Sequence, residues 1–217
     1  VASNAYADPL QETPAQEKAA TRTRRGIPSR YWLALDRLEE LPAVAAARAF
    51  MAKTDPRLFL VLAGAPGVGK TVAGTWAIDH HQGELLRYLD GSGQVGEFRG
   101  HDVPGLFIKA ADLAADLFDR KTWGEATKAP RLAIDDLGME TVSGNGKEHF
   151  LGQLMQLLHN RYDYQRKTVI TCNLTRDTFG SAYLAHDGGR LADRFREVGW
   201  FEPVAGGSRR KALGAGP

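Results

Sequence analysis

Residues 58–71, Leu-Phe-Leu-Val-Leu-Ala-Gly-Ala-Pro-Gly-Val-Gly-Lys-Thr, constrain this chain more than any other stretch. Leu58 to Leu62 is an apolar run of the length of a buried strand. Gly64, Ala65, Pro66, Gly67, Val68, Gly69, Lys70 and Thr71 match G-x-x-x-x-G-K-[ST] in full. From Thr71 to His80 the pattern is helical, with Val72 and Trp76 one turn apart. Strand, glycine loop and helix therefore follow in the order that a polyphosphate cradle needs. Gly67 and Gly69 allow bends that turn successive N–H groups inward, and the helix aims its positive end at the same place. Gly64 through Val72 are the predicted nucleotide cradle. Lys70 is expected to reach the β- and γ-phosphates, and Thr71 to hold Mg²⁺. A glycine turn that binds nothing is the bland alternative.

Arg131-Leu132-Ala133-Ile134-Asp135-Asp136 is the second informative stretch. A buried strand running into two carboxylates, downstream of such a loop, is a Walker B arrangement. It assigns Asp135 to the Mg²⁺ shell and Asp136 to orienting or deprotonating the attacking water. Thr168 to Cys172 is a β-branched strand that delivers Asn173 to the strand C-termini, where parallel sheets bind ligands. Asn173 is then a candidate for holding that water, or merely the start of a turn. Gly188 to Arg196 is arginine-dense. On a helix, Arg190 and Arg194 share one face while Leu191 and Phe195 share its neighbour. Such a helix either presents guanidinium groups toward a transferring phosphoryl group or is a plain salt-bridged surface.

Composition bounds the rest. The 217 residues are 43% hydrophobic and 25% charged, which suits one globular domain with a real core. A net charge of +2 implies no global attraction to nucleic acid, so any such surface is local. Cys172 is the one cysteine, which excludes an intrachain disulfide and fits a reducing cytoplasm. No apolar run suits a bilayer and the polar start is unlike a signal peptide, so the expectation is cytoplasmic, without a membrane.

In chain order, residues 1–25 read as a flexible arm ending in Thr21-Arg22-Thr23-Arg24-Arg25, either a solvated charge run or a partner- or nucleic-acid-binding segment. Ile27, Tyr31, Trp32, Leu33 and Leu35 are candidates for packing on the main domain. Leu41 to Lys53 predicts a helix with Pro42 in its first turn. Gln82 to Pro104 predicts a long loop with a short hairpin around Asp90-Gly91-Ser92-Gly93. His80, His81 and His101 show no metal-ligand spacing and read as surface residues. Leu106 to Lys109 predicts a strand. Ala110 to Phe118 predicts an amphipathic helix burying Ala110, Leu113, Ala114, Leu117 and Phe118. Arg120, Lys121 and Lys128 then read as a solvated face or a nucleic-acid contact. Lys147 to Tyr164 predicts the longest helix, with Phe150, Leu151, Leu154, Met155, Leu158 and Tyr162 inside. Val198 to Val204 predicts the last strand.

These motifs together resemble the DnaC/IstB-like AAA+ ATPases, from about Gly26 to Lys211. Gly26 to Tyr31 is similar to the segment before the ATPase core of helicase loaders. Ile134 to Glu140 is similar to that family's I-D-D-L-G-x-E, and Val169 to Leu174 to its sensor 1 strand, with Asn173 as the sensor. Arg190 to Arg196 resembles box VII, with Arg194 as the arginine finger, and Gly206-x-Ser208-x-Arg210 resembles the closing G-x-S-x-R. The resemblance implies an α/β P-loop NTPase: an AAA+ core with a central parallel five-stranded sheet flanked by helices, the lid reduced or absent. It implies boundaries at 1–25 for the arm, 26–211 for the ATPase domain and 212–217 for a tail. The implied activity is Mg²⁺-dependent ATP hydrolysis with Asp136, Asn173, Arg194 and Lys70 as catalytic residues. The implied assembly is head-to-tail, with the finger acting in trans. The implied partners are a replicative helicase or a transposase, and single-stranded DNA. Helicase loading in DNA replication stands first; an IstB-like transposition ATPase, a nucleotide-gated module with little turnover and a P-loop kinase are the alternatives.

Overall fold

In a strand, alternate residues face opposite sides, so a strand apolar throughout must be covered on both. In the computed structural model that strand is Phe59–Ala63 (β1). The structure describes residues 13–37, 41–52, 54–80, 85–89, 95–99, 105–142, 144 and 146–208, with backbone alone for 85–89 and 95–99. Phe59, Val61 and Ala63 enter one core and Leu60 and Leu62 the other.

Ahead of β1 come the helices Pro14–Arg24 (α1), Trp32–Arg37 (α2) and Pro42–Met51 (α3), with a 3-10 turn Ser29–Tyr31 after α1. Lys70–Asp79 (α4) follows the glycine loop. Next are Leu85–Leu89 (β2), Val95–Arg99 (β3), Gly105–Lys109 (β4), Ala110–Ala115 (α5), Arg120–Lys128 (α6) and Arg131–Leu137 (β5). Gly146–Asp163 (α7), Lys167–Cys172 (β6), Arg176–Phe179 (α8), a π-helical segment Gly180–Leu184, Arg190–Val198 (α9) and Gly199–Pro203 (β7) complete the described chain. The main sheet is five-stranded and parallel throughout, in the order β4-β5-β6-β1-β7. α5, α6, α7 and α9 cover one face through Leu113, Trp123, Phe150, Leu158 and Leu191. α3 and α4 cover the other, where Ala43, Ala46 and Ala47 meet Ala73 and Ala77. Small side chains on both helices permit that close approach. The predicted α/β fold with a parallel five-stranded sheet is the observed one.

Three sequence expectations are corrected. Residues 1–25 read as a flexible arm, yet residues 14–24 form α1, started by a capping box between Thr13 and Gln16. The helix lacks an apolar stripe because charge anchors it. Buried Arg22 donates to Asp79 at the end of α4 (Nη2 to Oδ2, 2.8 Å) and to Asp36 (Nη2 to Oδ1, 2.8 Å). Arg25 is also buried; its guanidinium donates to the Ile78 carbonyl (3.3 Å) and its own carbonyl accepts from the Phe107 amide (2.7 Å). Residues 1–12 lie outside the described residues. In the 82–104 stretch, β2 and β3 pair antiparallel, a longer ladder than the predicted short hairpin; residues 90–94 between them lie outside the described ones. Phe118 was expected inside but is 83% exposed, because α5 stops at Ala115 and the chain turns outward; its ring lies against His149 at 5.1 Å.

The α1 anchor carries a pH prediction. Hydrogen bonds from Arg22 and then Lys18 hold the Asp36 carboxyl down to about 2, against an ordinary 3.8. A depressed carboxylate stabilises the fold above its unfolded pKa and loses that contribution as pH falls through the folded value. Asp36 is half-exposed, so Asp36→Asn should melt only about 1–3 °C below the parent at pH 6. The gap should shrink as pH falls and close below about pH 2, read by thermal denaturation from pH 6 downward.

Candidate nucleotide site

β1 delivers the glycine loop to the C-terminal edge of the sheet, and α4 leaves from it. Gly67 (φ 88°) and Gly69 (φ 98°) adopt backbone conformations that a side chain would strain. Neither has room for one: a Cβ on Gly67 would lie 2.3 Å from Ser208 Oγ, and on Gly69 2.6 Å from a methyl of Leu41. The loop is thus packed from outside by the closing G-x-S and by the start of α3. Arg210 lies outside the described residues.

Lys70 is buried, and its ammonium donates to the carbonyls of Gly64 (2.7 Å) and Ala65 (2.9 Å) and to Asn173 Oδ1 (2.9 Å). Register explains the last contact. Ala63 pairs with Cys172, so Gly64 and Asn173 emerge side by side.

On the other side of β6, the β5 ladder slips. Ile134 pairs with Ile170, but Leu137 pairs with Cys172, so β5 carries one extra residue. The bulge falls on the two acids, and Asp136 takes φ 55°, a conformation costing about 1–3 kcal/mol for a non-glycine residue. Thr171 spans the irregularity: its hydroxyl accepts from the Asp136 amide (2.9 Å) and donates to Asp135 Oδ1 (2.7 Å). Asp135 is 1% exposed. Burial pushes its pKa up, the adjacent Asp136 adds to the rise, and hydrogen bonds from Thr171 and Thr71 oppose it. The predicted pair, Thr71 and Asp135, thus lie near enough to influence each other's charge. Asp136, less buried, faces the crevice with Asn173, Lys70 and Thr71.

That crevice measures about 360 Å³, within the range of small-ligand sites. Pro66, Gly67, Gly69, Val72, Tyr31, Leu41 and Met139 line it beside Lys70 and Thr71. A lining that combines a glycine loop and an ammonium with apolar and aromatic side chains suits a phosphate chain attached to a flat ring.

Arg194 is elsewhere. It lies against α7, donating to Asp163 (3.0 Å), to His159 Nδ1 (2.8 Å) and to the His159 carbonyl (3.3 Å), with its guanidinium 4.3 Å from the centre of the Tyr162 ring. His159 Nε2 bonds in turn to Asp187 (2.7 Å), whose carboxylate accepts from the Leu191 amide at the start of α9. Arg190 is exposed on the same helix. Neither arginine lines the crevice.

Comparison with solved structures decides the fold. A crystal structure of the DnaC helicase loader matches over 82% of this chain and 100% of its own, with a TM-score of 0.56 and 21% identity. The chain has a DnaC-like α/β fold. DnaI matches over 75% of this chain and 83% of its own (TM-score 0.51, 20% identity). A candidate primosome component from Streptococcus pyogenes serotype M3 matches over 90% and 100% (TM-score 0.56, 18% identity). No protein-family model and no curated protein matches the chain.

Within this fold, several residues of the site escaped sequence reading. Tyr31, Leu41 and Met139 were absent from it as crevice walls, and Ser208 as a support for Gly67. Glu140 ties the loop after β5 to the π-helical segment, accepting from the Gly138 amide (2.6 Å) and from the Tyr183 hydroxyl. Thr171 was read only as strand. Strand alternation did hold a signal: it puts Thr171 on the side of Val169, which is the α4 side of the sheet. Among the described residues, no helix is long and apolar enough to cross a membrane.

Proposed function

We propose that this chain binds ATP with Mg²⁺, hydrolyses it and uses the cycle to assemble head-to-tail as a helicase loader in DNA replication. The observation that carries the reading is the convergence of Lys70, Thr71, Asp136 and Asn173 on one crevice floored by Gly67 and Gly69, with Asp135 buried next to Asp136 at its edge. The donor set suits the metal: the Thr71 hydroxyl and the nearby Asp135 carboxylate are hard oxygens of the kind Mg²⁺ takes beside phosphate oxygens. Bound there, the ion would neutralise charge on the phosphates. Lys70 exchanges its loop carbonyls for phosphate oxygens. Asp136 orients the attacking water and accepts its proton, with Asn173 holding the water on the Lys70 side. The ATPase unit in this reading is 26–211, with α1 docked on α4.

A finger acting in trans must meet a surface other than its own, which gives head-to-tail rings or spirals. Arg194 would have to leave Asp163, His159 and Tyr162 to do so, whereas Arg190 is exposed at the start of α9. The names of the structural neighbours, a helicase loader and a primosome component, favour replication over transposition as the setting.

The test is turnover and assembly mass with ATP or its non-hydrolysable analogue, with and without single-stranded DNA. The expected result is Mg²⁺-dependent turnover and growth of the assembly with nucleotide. Arg194→Ala should retain nucleotide binding and lose turnover, with about 10³–10⁵ as the upper guide for a supplied arginine. Full turnover in Arg194→Ala with loss in Arg190→Ala would move the finger to Arg190. Nucleotide-dependent assembly without turnover would make the chain a gated binding module. Capture of a transposase in place of a helicase would make it an IstB-like regulator.

A further inference from the structure

We infer that Thr171 is the positioning residue for both acids of the crevice, its hydroxyl fixing the direction of the Asp135 carboxylate and holding the backbone of Asp136 in the turn that faces the crevice. The inference deepens the hydrolytic reading above and rests on it.

A threonine hydroxyl has one proton and two lone pairs. Here the proton goes to Asp135 Oδ1 at 2.7 Å and a lone pair receives the Asp136 amide at 2.9 Å, so the two contacts are compatible. Both lie in the interior, Thr171 itself being 0% exposed. The slipped register takes Asp135 and Asp136 out of the ladder between Ile134↔Ile170 and Leu137↔Cys172. A backbone N–H beside a buried strand needs a partner, and the hydroxyl supplies one to Asp136. The same bond holds that residue at φ 55°.

The side chain is fixed in its turn. A β-branched residue has few rotamers, and the Thr171 methyl faces Gly74 of α4, where a Cβ would stand 3.6 Å from it. Methyl on the P-loop helix and hydroxyl on the acids leave one orientation. Thr171 thus gives the metal-side carboxylate of Asp135 its hydroxyl hydrogen bond, with Thr71 of the glycine loop nearby, and the water-side residue Asp136 is held by the backbone bond alone.

Valine keeps the shape of Thr171 without its hydroxyl; serine keeps the hydroxyl without the methyl. The experiment compares the full chain with Thr171→Val and Thr171→Ser in two arms. The first is amide hydrogen exchange on nucleotide-free protein. In Thr171→Val the Asp136 amide should exchange at least about ten-fold faster, with Ile134 and Ile170 unchanged, and Thr171→Ser should retain protection. The second is turnover against Mg²⁺ and ATP, alongside binding of a fluorescent ATP analogue in EDTA. Thr171→Val should lose about ten- to hundred-fold in kcat and need more Mg²⁺ for half-maximal rate, with affinity in EDTA unchanged; Thr171→Ser should recover most of the rate. Unchanged Asp136 exchange in Thr171→Val overturns the proposal. So does wild-type turnover in Thr171→Val, or an equal loss in valine and serine, which would assign the effect to methyl packing. A parent protein that turns over no nucleotide defeats the hydrolytic reading instead, and the exchange arm then decides alone whether Thr171 holds Asp136.

Discussion

Lys70→Ala should abolish turnover and weaken binding of the nucleoside triphosphate by about a hundred- to ten-thousand-fold. The figure follows from losing two hydrogen bonds to charged phosphate oxygens at about 1.5–3 kcal/mol each, with 1.4 kcal/mol per decade. In the free protein the same ammonium satisfies the carbonyls of Gly64 and Ala65 and the side chain of Asn173. The variant therefore also leaves acceptors at the floor of the crevice without this donor, and a modest loss of stability should accompany the loss of binding. Titration with a fluorescent nucleotide and a thermal melt on the same sample separate the two effects. Lys70→Met, which keeps the stem, should lose binding to the same extent. Binding within two-fold of the parent in either variant would mean that the triphosphate does not lie along the glycine loop.

The parts of this candidate site that were legible in the sequence are those whose spacing a phosphate chain would dictate. A phosphate chain needs backbone N–H groups, one ammonium and one hydroxyl at fixed intervals, so Gly64 to Thr71 could be read directly. Asp135, Asp136 and Asn173 could be read because parallel strands deliver their C-terminal residues to one edge. What could not be read were contacts that join motifs to each other. Thr171 is one β-branched residue among several in its strand, and nothing local marks it as the one that bonds across a bulge. Glu140 and Tyr183 are 43 residues apart and meet only in three dimensions. Arg22 was misread for a related reason. Arg22 belongs to a charge run that looks solvated, but in the fold it bridges Asp36 and Asp79 with 3% exposure. Sequence charge says that a group needs partners; it does not say that the partners are water.

Arg161 is the extreme case, and Arg161→Ala should cost about 3–5 kcal/mol of folding stability. The residue occupies the inner stripe of α7 and is 0% exposed. Among the described residues no carboxylate pairs with it; its partners are all oxygens of neutral groups. Nε donates to Thr168 Oγ1 (2.6 Å), Nη1 to the carbonyls of Ala126 (2.9 Å), Thr127 (3.4 Å) and Ala129 (2.7 Å), and Nη2 to that of Lys167 (2.7 Å). Most of those carbonyls end α6, where a helix has no N–H groups left to offer. Pro130 sharpens the need, because it has no N–H to give to the Ala126 carbonyl four residues back. Arg161 thus caps α6 from the neighbouring helix, and its cation favours the negative end of that helix. Burial, and then the nearby Arg166, push its pKa down; the five contacts are what keep the proton in place. Alanine would strand several buried carbonyls at about 1–3 kcal/mol each, less whatever water enters. Lysine, a single point charge without the planar fork, should recover less than half of the loss. Urea denaturation at neutral pH measures both variants, with an unchanged m-value showing that the unfolded state is the same. A loss below about 1 kcal/mol would mean that α6 ends as well without this cap. Because α6 leads through Pro130 straight into β5, the strand that carries Asp135 and Asp136, turnover in Arg161→Ala should track the folded fraction and return at temperatures where the variant is native.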